Sequence, residues 1–412
     1  MTDATPDCRF CGAPLTRTFL DLGDTPLANS YVTAADVAAG RDRAYPLHAR
    51  VCDSCLLVQV DEVVPAEDIF SDYAYFSSYS AGWVAHARRY ADAMTERFGL
   101  GPDSLVVEVA SNDGYLLRHF VERGIPVLGI EPAANVAEVA RAAGVPTEVT
   151  FFDRDSGRAL AARGKRADLM AANNVFAHVP DIRAFAAGFA EVLKPEGVVT
   201  FEFPHLLNLI NEVQFDTIYH EHYSYLSLVV VERVLGAVGL RVFDVEELPT
   251  HGGSLRVFAC PVAAGHGEGP GLLAVRAKET AAGLDRPEAY DGFAPRVEAV
   301  RRGFLDFLAK ARAEGRRVAA YGAAAKGNTF LNFCGVGAGD ITLVADRNPA
   351  KQGRLLPGSH VPIVSPDELA ASKPDDLVIL PWNIAAEVAA DMAAMKAAGC
   401  RFWIAVPEMR EV

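Results

Sequence analysis

The chain has 412 residues, half of them apolar and 22% charged, with a formal net charge of −14. That is a globular composition on a chain too long for a single core, so two or three domains are expected and a disordered chain is excluded. The acidic balance also excludes a broad nucleic-acid surface, which needs clustered Lys and Arg, though not a small local phosphate site.

The amino-terminal "MTDATPDC" has neither the basic nor the apolar part of a signal peptide. The longest apolar stretch, "LSLVVVERVLGAVGLRVF", is interrupted by Glu232, Arg233 and Arg241, short of a membrane span. A cytoplasmic protein without membrane association is the expectation. Seven cysteines fit that compartment as thiols. Cys260, Cys334 and Cys400 are scattered, whereas Cys8-x-x-Cys11 and Cys52-x-x-Cys55 form two knuckles. Each knuckle sets two thiolates at the spacing a tetrahedral Zn²⁺ takes, and four thiolates leave no open position for catalysis. A structural zinc is therefore expected, clipping together a module too small to fold comfortably on apolar burial alone.

An aromatic connector, "EVVPAEDIFSDYAYFSSYS", and a helical pattern, "AGWVAHARRYADAMTERF", come next. "SLVVEVASNDGYLLRHFVERG" reads as strand, tight turn and helix, "IPVLGIEP" as a second strand, and "ADLMAANNVFAHV" as a strand ending at Asn173 and Asn174. "GVVTFEFP" adds another strand. Strands alternating with amphipathic helices predict a doubly wound, mostly parallel sheet. The last hundred or so residues repeat the grammar: "RRVAAYGAAAKGNTFLNF" is strand, small-residue turn and helix, and "ITLVADRNP" is a strand ending in Asp346. "DDLVILPWNIAAEV" is a strand ending in a turn with Asn383. The fold class expected is α/β with two Rossmann-like units behind a small zinc-binding module. The boundaries are 1–72, 73–240 and 241–412.

In the first unit the turn after the strand, with Ala110, Asn112 and Gly114, leads to Glu131-Pro132 at the end of the next strand. Small turn residues let the backbone approach a ligand, and an acid about 20 residues on accepts hydrogen bonds from ribose hydroxyls. With one glycine, the turn lacks the dinucleotide fingerprint, which weighs against NAD. Glu108 stands where S-adenosylmethionine (SAM) enzymes carry an acid near the methionyl part, and Asn173 or Asn174 would line the site. In the second unit, the turn after Tyr321 offers helix-start N–H groups beside Lys326, which suits a diphosphate. "THGGSLRV" adds His251, Ser254 and Arg256 as anion contacts, and Asp346 could bind a sugar or base hydroxyl.

"DTIYHEHYSYLS" is the densest polar stretch, and its His-Glu-His spacing does not fit a zincin, whose histidines stand four apart on a helix. Taken in order, the two cysteine knuckles, "DYAYFSSYS", "VEVASNDG", "IEP", "NNVFAHV", "YHEHYSYLS", "HGGSLRV", "YGAAAKGN" and "PWN" resemble the nucleotide-sugar C-methyltransferases of branched deoxysugar biosynthesis in antibiotic pathways. The resemblance covers nearly the whole chain. It implies a central SAM domain, a carboxy-terminal domain gripping a dTDP-linked 4-keto-6-deoxy sugar, and methylation next to the ketone, at C-3 or in some members C-5. An NAD-dependent oxidoreductase or epimerase of nucleotide sugars is the competing class.

Such a methylation needs a base for the proton alpha to the ketone and a donor for the enolate oxygen. His222 is the candidate base, since histidine titrates near neutral pH. Tyr219 is the candidate donor, sharing a face with His222 if the segment is helical. Glu221 would orient or neutralise a histidine, and His220 would point elsewhere. Tyr73 and His178 match positions that the resemblance places near the sugar.

Overall fold

The computed structural model describes residues 5–65 and 76–412, and the expected boundary at 72/73 lies outside them. Strands are numbered in chain order.

The amino-terminal module is an antiparallel sheet of β1 (Arg17–Pro26), β2 (Ala44–Val51) and β3 (Val58–Val60). A two-residue strand from the middle of the chain, β9 (Ser224–Tyr225), completes it by pairing with β3, Gln59 opposite Ser224. The module is not a separate bead. Phe19 of β1 stacks on Phe293 at 4.6 Å, so its apolar face shares a core with the helix Phe293–Ala313.

The central sheet is built on β4 (Val106–Val109), β5 (Val127–Ile130), β6 (Thr147–Glu148), β7 (Ala167–Asn173) and β8 (Leu193–Pro204), all mutually parallel. Two antiparallel strands, β10 (Leu240–Leu248) and β11 (Ser254–Pro261), join it beside β8, giving the order β10-β11-β8-β7-β4-β5-β6. The sheet therefore runs through the expected boundary at 240/241. Both faces are covered, as the near-continuous apolar strands require. Val107 and Val109 point into one core, and Val106 into another with Tyr90, Met94 and Phe120.

The carboxy-terminal sheet has the order β14-β13-β12-β15-β16-β17. Here β12 (Val318–Tyr321), β13 (Val344–Ala345), β14 (Ile363–Val364), β15 (Asp376–Ile379) and β16 (Arg401–Ile404) are parallel, and β17 (Arg410–Glu411) is antiparallel. No helix among the described residues is long and apolar enough to cross a membrane.

Candidate functional site

The knuckle turns close through main-chain hydrogen bonds, Gly12 N–H to Cys8 O and Leu56 N–H to Cys52 O, both 2.8 Å. They bring Cys8, Cys11, Cys52 and Cys55 together with all four ligand atoms within 4.8 Å of one another. The Cys8–Cys55 and Cys11–Cys52 sulfurs are each 3.5 Å apart. Tetrahedral Zn²⁺ with Zn–S bonds of about 2.3 Å needs sulfurs about 3.8 Å apart, so the set fits zinc with a small outward shift. Gln59 Nε2 donates to Cys8 Sγ at 3.1 Å, the outer donor a thiolate site uses.

The three modules meet around a cavity of about 1010 Å³. At one end lies the turn after β4. Ala110 (φ 56°), Asn112 (φ 49°) and Gly114 (φ 75°) all take the left-handed conformation, so an alanine and an asparagine do here what glycines usually do. Glu131 accepts N–H bonds from Asn112 and Ala133, each at 2.9 Å, and still faces the cavity with Pro132. Ala110, Asn112, Asn173 and Asn174 line the same wall. Glu108 does not. It is buried beneath the turn, where desolvation, with Glu131 nearby, pushes its carboxyl well above the usual range. Gly114 lies behind the wall, where a Cβ would meet Val145 Cγ2 at 2.9 Å. The Glu131 carboxyl is also raised, mainly by burial.

A helix, Ala81–Phe98, capped by the Ser80 hydroxyl, adds Trp83 and His86 to the wall. The rings of Trp83 and His86 stack at 4.8 Å. Glu202, fully buried on β8, bonds His86 Nε2 at 3.0 Å and Arg256 Nη2 at 2.9 Å, and accepts from the Thr250 hydroxyl at 3.1 Å. Arg256 sits directly opposite Glu202 in the β8–β11 register and also reaches Glu246 at 2.9 Å. Its charge is thereby committed inside the sheet and away from the cavity lining, and Ser254 beside it donates to Thr250 O.

The centre of the wall is the segment 219–222, which is a turn rather than a helix. His222 N–H bonds Tyr219 O at 2.9 Å, and the i, i+3 spacing brings the two rings to 4.0 Å. His222 Nδ1 donates to Thr217 O at 3.0 Å, so Nε2 carries the lone pair and meets the Tyr219 hydroxyl at 2.9 Å. His178, at the end of a 3-10 turn, packs its ring 4.6 Å from that of His222 and donates from Nδ1 to Glu221 O at 2.8 Å. The Glu221 carboxylate bonds neither histidine; it accepts from Asn29 Nδ2 at 2.7 Å. His220 turns away to Pro46 O and Tyr45. Burial lowers His178 to about 4, and lowers His222 well below 6.5 with help from His178, His251 and Lys326. Both imidazoles are therefore neutral at neutral pH. Tyr73 lies outside the described residues.

The turn after β12 adds Lys326 to the cavity lining. Its Nζ donates to Asn383 Oδ1 at 2.7 Å and sits 4.5 Å over the Trp382 ring, while Trp382 Nε1 donates to the buried Asp216 at 2.8 Å. Burial lowers the lysine and Asp216 partly restores it. Two glycines allow this closeness: a Cβ on Gly322 would stand 2.4 Å from Pro381 Cδ, and one on Gly252 2.4 Å from Trp382 Cη2. Tyr321 instead lines a separate 290 Å³ pocket with Arg347, and Asp346 pairs with Lys351 at 3.4 Å. Neither Tyr321 nor Asp346 lines the main cavity. Asn29, Trp83 and His86 are wall residues that no sequence motif singled out. The i, i+3 spacing of the last two on a helix face was the available signal.

Three family models match the chain: "Putative zinc binding domain" over residues 8–70, "Methyltransferase domain" over 83–245, and "C-methyltransferase C-terminal domain" over 249–407. The C-methyltransferase NovU of Streptomyces niveus is 37% identical over 406 residues, covering 98% of this chain and 96% of that protein. A ubiquinone biosynthesis O-methyltransferase of Rhodopseudomonas palustris is 25% identical over 150 residues, 31% of this chain and 59% of its own. Among solved structures, magnesium protoporphyrin IX methyltransferase of Synechocystis with bound SAM aligns at 16% identity and a TM-score of 0.33, covering 43% of this chain and 80% of that one. The protein is a SAM-dependent methyltransferase with a zinc-binding domain that carries the four-cysteine cluster. By full-length similarity and by all three models, the chain belongs to the C-methyltransferase family.

Proposed function

We propose that the protein methylates a dTDP-linked 4-keto-deoxysugar at the carbon next to the ketone, C-3 by preference. The observation that carries this reading is the set of groups brought together on one cavity. A ribose-suited carboxylate, Glu131, a cation, Lys326, and two neutral histidines with a tyrosine all line it. SAM, when bound, supplies an electrophilic methyl group. The cofactor end is read as Glu131, Asn112, Ala110, Pro132 and the Asn173–Asn174 pair, with Glu108 and Gly114 shaping the turn from behind. We read the carboxy-terminal module as a second Rossmann-like unit, because β12 is flanked by parallel β13 and β15 with a small-residue turn at its end. Lys326 and Asn383 from that module would hold the diphosphate. Tyr321 and Asp346 would support that module from outside the cavity, while Ser254 and Arg256 would brace the central sheet.

A sugar carbon becomes a nucleophile only after losing the proton alpha to the ketone. His222 has the equipment for this: Nδ1 is fixed on Thr217 O, Nε2 holds a lone pair, and burial keeps the ring unprotonated. The Tyr219 hydroxyl covers that lone pair before substrate enters. On substrate binding it turns to the developing enolate oxygen and leaves Nε2 to take the proton. The electron pair released from the C–H bond would form the new C–C bond to the methyl that SAM supplies, the pair of the broken S–CH₃ bond staying on sulfur. His178, 4.6 Å away, shapes the pocket from the other side.

His222→Asn tests this assignment. Methyl transfer should fall by about 10²-fold or more, the usual worth of a general base, with SAM affinity by calorimetry unchanged within a few-fold. Full activity in that variant would rule out His222 as the base.

A further inference from the structure

The segment after β1, "LANSYV" at residues 27–32, leaves the zinc module and runs between the other two. Asn328 Nδ2 of the helix after β12 donates to Ala28 O at 2.5 Å, and the Tyr31 hydroxyl donates to Ala323 O at 2.6 Å. Val32 forms a bridge with Leu355, its N–H bonding Leu355 O at 3.2 Å and the reverse at 2.8 Å. This strap is therefore fixed to the carboxy-terminal module on both sides of Asn29. Asn29 itself is exposed, lines the cavity and gives its amide to Glu221 Oε1 at 2.7 Å.

Glu221 is buried and, with Glu131, is one of two carboxylates on the cavity wall among the described residues. Its main-chain carbonyl receives His178 Nδ1, and its neighbour in the turn is His222. Burial raises its carboxyl, and the Asn29 amide is the group that pulls it back. The titratable groups around it are His178, His222 and Tyr31, with Lys326 on the same cavity wall. An exposed asparagine adds nothing to the core; its amide oxygen accepts from the neighbouring Tyr31 hydroxyl at 3.4 Å, and its amide N–H is given to a buried carboxylate at 2.7 Å, the contact that reaches into the site.

We propose that Asn29 is a positioning residue of the methyl-transfer site: through it the zinc module reaches into the cavity and holds the side chain of Glu221, the residue whose carbonyl receives His178 and whose neighbour in the turn is His222. The zinc module is then part of the active site as well as a fold staple. This inference rests on the reading that the Tyr219–His222 turn handles the proton.

The test is kcat and KM against pH for Asn29→Ala and Asn29→Asp, alone and combined with Glu221→Gln. SAM and dTDP-4-keto-6-deoxyglucose are the substrates, or the keto-sugar of a small dTDP panel that the wild type turns over. Zinc content is measured by elemental analysis. Asn29→Ala should lower kcat about 10-fold, the worth of a hydrogen bond to a charged group. Zinc content and SAM affinity should stay unchanged, and the acid limb of kcat should move to higher pH. Asn29→Asp should move the limb further, by like-charge repulsion. In the Glu221→Gln background, replacing Asn29 should have no added effect. An unmoved acid limb with wild-type kcat in Asn29→Ala overturns the proposal, as does an equal loss in both backgrounds. Wild-type kcat and profile in Glu221→Gln alone would instead remove the underlying reading of the turn.

Discussion

The two small-residue turns at the ends of β4 and β12 are the same device with opposite polarity. Both follow a buried parallel strand, both open a helix, and both face the shared cavity. At the β4 turn the charges are acids, Glu131 on the wall with Glu108 buried beneath it. At the β12 turn the charge is Lys326, held over Trp382 and bonded to Asn383. Even the backbone solutions differ. The first turn puts Ala110 and Asn112 as well as Gly114 at positive φ, whereas in the second Gly322 alone does so, because Pro381 packs where a Cβ would be. Topology thus fixes where a ligand lies, and a few side chains fix which charge it carries.

On this contrast, Lys326 and Glu131 should respond separately. Lys326→Gln should raise KM for the sugar nucleotide by about 10- to 100-fold, the range of a charged hydrogen bond, and leave the SAM Kd unchanged. Glu131→Gln should do the reverse, weakening SAM about 10-fold in calorimetry with little change in sugar KM. Equal weakening of both ligands by either variant would break the contrast.

A second way to separate the two residues is pH. On the proposed reading Lys326 would hold the sugar nucleotide as a cation; its pKa is lowered by burial, so sugar-nucleotide KM should rise on the alkaline side before an ordinary lysine would lose its proton. Glu131 would bind SAM as an anion and its pKa is raised, so SAM affinity should fall on the acid side above the ordinary carboxylate range. Profiles of KM and Kd against pH should therefore show limbs on opposite sides. The smallest effect expected is that of Asp216→Asn. It keeps an acceptor for Trp382 and removes the charge that supports Lys326, so the alkaline limb should move to lower pH.

Much of this arrangement was legible before the structure. The alternation of apolar strands and helices marked β4, β5, β7, β8, β12, β13 and β15, because a strand buried on both faces leaves an apolar run flanked by turn residues. The two cysteine knuckles were legible because metal geometry imposes a short, repeated spacing. The Tyr219–His222 contact was also anticipated, though a tight turn delivers it instead of a helix, since both place i and i+3 together.

What escaped the sequence depends on pairing between distant segments. The hairpin of β10 and β11 reads locally as the start of a new unit, and only its register against β8 assigns it to the central sheet. The same register puts Arg256 opposite Glu202, which takes up a charge the sequence offered to an anion. Asn29 carries no motif, and its value comes from a strap wedged between two other modules.

The most direct test of the account is to supply SAM carrying a labelled methyl group together with a panel of dTDP-linked 4-keto-deoxysugars, and to locate the label in the product by mass spectrometry and NMR. The account predicts a new carbon–carbon bond at the carbon next to the ketone. Label on oxygen or nitrogen, or no transfer to any keto-sugar nucleotide in the panel, would contradict it.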